Sequence, residues 1–173
     1  MLEKIKKNFY PIALVLAGIG LILMTLILIG TLGYQFTEAT AVDFFENIAI
    51  IIALVFIVVG AISKQSKPFL PIAFGLYSTV NILINVYSLV RLGSYSSIGY
   101  ILLYVAAIVF YYITSEDKTI EIIRWVTLGT LFVIRLLQVF GGSLYGFACF
   151  IIIAIILLEL LLNRNKKVEE TND

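Results

Sequence analysis

Long apolar runs fill most of the chain, and short polar stretches separate them. The runs lie at about 9–32, 44–62, 69–90, 98–114, 121–140 and 143–162. A helix needs about 20 mostly apolar residues to cross roughly 30 Å of hydrocarbon. Backbone N–H and C=O groups find no water there, so a span must be a helix or part of a closed barrel. Barrel strands are about ten residues long and alternate in polarity; these runs are continuous and longer. The pattern predicts an all-α, polytopic membrane protein with six transmembrane helices in one integral domain, 1–173. Connections of about two to eleven residues predict antiparallel neighbours in sequence order. The polar tail, 168–173, is expected to fray.

Composition sharpens this picture. Of 173 residues, 61% are hydrophobic and 13% charged, and the mean hydropathy is +1.07. A soluble domain of this size exposes too much surface to hide so much apolar material. A net charge of +1 gives no bulk attraction to nucleic acid. Basic residues, however, are unevenly placed. Lys4, Lys6, Lys7, Lys64, Lys67, Lys118, Arg164, Lys166 and Lys167 fall on one side if six spans alternate, and only Arg91 falls on the other. The positive-inside rule then puts both termini in the cytoplasm, as expected of a multi-pass protein in a cell membrane, here a bacterial cytoplasmic membrane. The first run is longer than the 7–15-residue core of a signal peptide, so it is expected to stay as a span.

The residues for most chemistry are missing. There is no histidine and one cysteine, Cys149, so triads and metal-ligand clusters are excluded, no cofactor is implied, and an enzyme is not expected. What remains is a set of polar side chains at membrane depth, where each is costly and therefore a functional hypothesis. Arg124 and Glu159 lie at matching depths near the inner ends of spans five and six. They predict either a structural ion pair or two side chains that snorkel separately. Arg135 is deeper, with no acid opposite it on span six. Gln138 lies three residues on, along the same helical face. Ser78, Asn81, Asn85 and Ser88 recur at helical spacing on span three, and Tyr100 and Tyr104 share a face on span four.

With Glu46 at the outer start of span two, these residues outline an outward-facing polar pocket for a small solute: Arg135, Gln138, Asn81, Asn85, Glu46, Tyr100 and Tyr104. The competing reading is interhelical hydrogen bonding plus an interfacial aromatic belt. Small-residue spacings at Ala13, Ala17 and Gly18, at Ala49 and Ala53, and at Gly142 and Gly146 would allow close helix approach, within the chain or to another membrane subunit. Phe9-Tyr10-Pro11-Ile12-Ala13 and Phe69-Leu70-Pro71-Ile72-Ala73 match each other. The match suggests a hairpin repeat, or simply proline tolerated in a first helical turn.

Six short-looped helices, the Ala13-x-x-x-Ala17 pattern and an outer polar cluster resemble, in plan, the substrate-binding subunits of energy-coupling-factor vitamin importers. That resemblance implies that the small-residue face of span one meets a coupling subunit, and that Arg135 faces a negatively charged ligand. The chain departs from the plan in a short first outer loop and a pocket poor in tryptophan. The alternative is a non-catalytic membrane partner, such as an immunity, assembly or regulatory protein, working through helix contacts.

Overall fold

A computed structural model describes residues 2–32, 38–113 and 117–171, with side chains described for 8–32, 40–113 and 117–164. Six α-helices account for nearly all of these: α1 Leu2–Leu32, α2 Glu38–Ser63, α3 Ser66–Leu92, α4 Ser96–Tyr112, α5 Lys118–Phe140 and α6 Leu144–Thr171. Among the described residues there is no strand. Helices α1, α2, α3 and α6 are long and apolar enough to cross a membrane. The other two are α4, with 17 residues, and α5, which carries Lys118, Glu121, Arg124 and Arg135.

Sequence neighbours pack side by side, and α6 returns against α1, closing the bundle. Helix α6 also reaches α2 and α3, so it is the most enclosed helix. Ile151, Ile152, Ile153, Ile155 and Ile156 are all buried, as expected of a helix that is apolar all round. Helix α1 is peripheral. It buries Ala13, Ala17 and Met24 while Val15, Ile22 and Ile29 point outward. In lipid such packing rests on van der Waals fit, because the tails are as apolar as the core.

Most of the helices extend beyond the apolar runs, and the α2–α3 and α3–α4 connections are shorter than the hydropathy pattern predicts. Lys64 and Gln65 alone join α2 to α3. Lys64 is left-handed at φ 54°; its N–H and that of Gln65 return to the carbonyls of Ala61 and Gly60, at 3.4 and 3.0 Å. This is a Schellman closure. Gly60 permits it, because a Cβ there would lie 2.9 Å from Phe69 Cβ. Pro11 and Pro71 lie inside α1 and α3. The proline in the first turn of α3 is Pro68, not Pro71. The 168–171 part of the tail continues α6 as helix instead of fraying, since it contains no glycine or proline to stop it. Residues 172–173 and the first connection, 33–37, lie outside the described residues.

Ala13 and Ala17 turn into the chain's own core. Close packing within the chain uses the face expected to meet another subunit. Gly18 is half-buried, and a Cβ there would meet nothing within 4 Å.

Candidate functional site

Five helices bring polar side chains to one point around Arg135 of α5. The guanidinium is 5% exposed. Its Nε donates to Tyr77 Oη of α3 at 2.8 Å, and Nη1 donates to Gln138 Oε1 at 2.7 Å. Nη2 donates to both Asn81 Oδ1 and Tyr104 Oη, each at 2.5 Å. The acceptors are tied to one another. Tyr104 donates to Asn81 Oδ1 at 3.2 Å, and the two tyrosine hydroxyls are 3.1 Å apart. Asn81 Nδ2 anchors to its own helix at the Tyr77 carbonyl, 2.8 Å away.

A consistent assignment of protons follows. Tyr77 accepts from Arg135 and donates to Tyr104, which in turn donates to Asn81 Oδ1. Arginine has five N–H donors; four are used among the described residues, and one Nη1 hydrogen remains. All four acceptors are neutral. Among the described residues the ion pair is Arg164 with Glu121, 3.1 Å apart on the surface, and no carboxylate lies within 4 Å of Arg135.

Aromatic rings supply the remaining cover. The Arg135 Cζ atom lies 5.6 Å from the Tyr77 ring centroid, 6.0 Å from that of Tyr104 and 5.6 Å from that of Tyr145. These distances allow a cation–π attraction. Tyr145 of α6 donates its hydroxyl to Glu46 Oε1 of α2. Glu46 therefore joins the site with an aromatic ring between it and the guanidinium. Among the described residues its Oε2 accepts no hydrogen bond. Ser78, next to Tyr77, is fully buried, and its Oγ has no hydrogen-bond partner.

The turn between α5 and α6 sets this geometry. Gly142 adopts φ 80°, and Ser143 caps α6 by accepting from the Gly146 N–H at 2.9 Å. Gly146 lets α6 approach α5 so closely that a Cβ would stand 2.6 Å from Gln138 Cβ. Gln138 is thus held on the Arg135 side of its helix.

The sequence expectations divide accordingly. Arg135, Gln138, Asn81 and Tyr104 meet directly, and Glu46 joins through Tyr145. Asn85 does not reach the guanidinium; it donates to the Asn81 carbonyl at 2.7 Å, within α3. Tyr100 is 40% exposed and stands apart, displaced from Tyr104 by about 6 Å, just over one turn, along the axis of α4. Tyr77 and Tyr145 were not singled out by the sequence. Tyr77 precedes Asn81 by one helical turn, which was a usable signal; Tyr145 had none among ten tyrosines.

The expected Arg124–Glu159 pair does not form. Arg124 donates Nε to the Phe110 carbonyl at 2.7 Å and Nη2 to the Ile113 carbonyl. The end of α4 leaves carbonyls without helical donors, and these attract the cation. Glu159, buried on α6, has Ser66, Asn163 and Lys67 as its polar surroundings. Matching depth did not fix the direction around the helix. No group of metal-ligating side chains occurs among the described residues. The chain matches no protein family, no curated protein and no solved structure.

Proposed function

We propose that the chain is a six-span protein of a bacterial cytoplasmic membrane, with both termini cytoplasmic, that binds a small negatively charged solute near its outer face as a binding or transport component. The carrying observation is Arg135: a buried guanidinium held by neutral oxygens, with no carboxylate within 4 Å among the described residues. A cation at membrane depth costs about 2.5–3.5 kcal/mol on insertion scales. Neutral acceptors offset part of that cost, and an anion at the remaining N–H would offset more. Helix α4, at about 25 Å for its 17 residues, is short for a span but sufficient with interfacial ends. No catalytic step is part of this reading.

A second reading is favoured by the closure of the same network. With four donors already used, Arg135 would serve as a tie between α3, α4 and α5 in a non-catalytic partner protein. Thermal unfolding of the purified protein against a panel of small carboxylates separates the two. Selective binding to the folded state raises the melting temperature. The solute-binding reading predicts stabilisation by some carboxylates and none by the matching neutral amides, with the shift lost in Arg135→Ala. No shift across the panel, together with a co-purifying membrane protein after crosslinking, would favour the tie. For topology, Asn8→Cys and Asn163→Cys in a Cys149→Ala background should both label from the cytoplasmic side. Labelling of the two positions from opposite sides would contradict it.

A further inference from the structure

The site carries two charges, not one, and each has an unused valence. Arg135 retains one Nη1 hydrogen after its contacts with Tyr77, Gln138, Asn81 and Tyr104. Glu46 accepts from Tyr145 at Oε1, and its Oε2 accepts nothing among the described residues. The two charged groups are not an ion pair: they are farther than 4 Å apart, and the Tyr145 ring stands beside the guanidinium at 5.6 Å. A bare carboxylate would satisfy Arg135 alone. A bare amine would satisfy Glu46 alone and be repelled by Arg135.

Resting on the solute-binding reading above, we infer that the ligand is a small zwitterion of the amino-acid type. Its carboxylate takes the open Arg135 N–H, and its ammonium takes Glu46 Oε2. Tyr145 is the positioning residue between them. Its ring offers a face to the ammonium, and its hydroxyl holds Glu46 in register. Tyr145 is half-buried, as are Glu46 and Gln138.

The test uses the full chain in nanodiscs and the free amino acids, each compared with its N-acetyl derivative. Acetylation removes the ammonium and keeps the carboxylate. At least one amino acid should bind tenfold or more tightly than its N-acetyl form. Glu46→Gln, which keeps an acceptor for Tyr145, should bring that ratio to within twofold. Equal binding of free and acetylated forms to the unmodified protein would overturn the zwitterion assignment and leave carboxylate binding intact. An unchanged ratio in Glu46→Gln would overturn the role of Glu46. Binding of neither form would remove both this inference and the reading beneath it.

Discussion

Arg124 and Arg135 stand on the same helix, about three turns apart, and are accommodated in different ways. Near one end of α5, Arg124 uses main-chain carbonyls, those of Phe110 and Ile113. Any helix terminus supplies such acceptors, and no other side chain has to be chosen for the purpose. Arg135 is surrounded instead by side-chain oxygens from α3, α4 and α5, with Tyr145 of α6 alongside. Each of those residues had to be a hydrogen-bonding type at the right turn of its helix. The first arrangement caps a helix; the second is a constructed cation site. Residue type and depth alone do not separate them, but the source of the acceptors does.

Substitutions should widen that contrast in a definite order. Arg135→Ala should cost about 3 kcal/mol in detergent unfolding, because several charge-assisted hydrogen bonds are lost and their acceptors stay buried. Arg135→Lys should recover little of this, since an ammonium cannot match the planar fork. Gly146→Ala should cost about 1–3 kcal/mol through overpacking against Gln138, and should weaken carboxylate binding along with stability. Tyr145→Phe should cost about 1 kcal/mol by removing the donor to Glu46. Arg124→Ala should cost about 1 kcal/mol, the scale of a helix-end interaction, with no effect on solute binding. A larger loss for Arg124→Ala than for Arg135→Ala would reverse the comparison. Smallest of all should be Glu121→Ala: its Arg164 partner is 58% exposed, and surface pairs contribute about 0–1 kcal/mol.

Much of this architecture is legible in hydropathy, because lipid imposes helices on any long apolar run. All six helices fall where the runs predict them, although their ends do not. Lys64 and Gln65 form a tight closure that contains no apolar signal. In the site, Asn81 and Gln138 were legible from helical spacing to a charged or polar neighbour. Tyr104 was legible through its pairing with Tyr100, yet only Tyr104 turns inward. The Arg124–Glu159 expectation failed because depth is a one-dimensional coordinate, whereas pairing also needs the right rotation about each axis. Tyr145 was hidden for a related reason: its partners, Glu46 and Arg135, lie on two other helices, and no spacing along the chain records that meeting.

If the Arg135 guanidinium takes an anion, its own resonance reports on that directly. In nanodiscs carrying protein with 15N-labelled arginine, the Arg135 Nε–H signal is the one lost in Arg135→Lys. This signal should shift in a saturable way on adding a binding carboxylate, while those of Arg91, Arg124 and Arg164 stay in place. An Arg135 signal that stays fixed across every carboxylate tested would mean that its neutral partners are all it ever binds, and would rule out an anion site there.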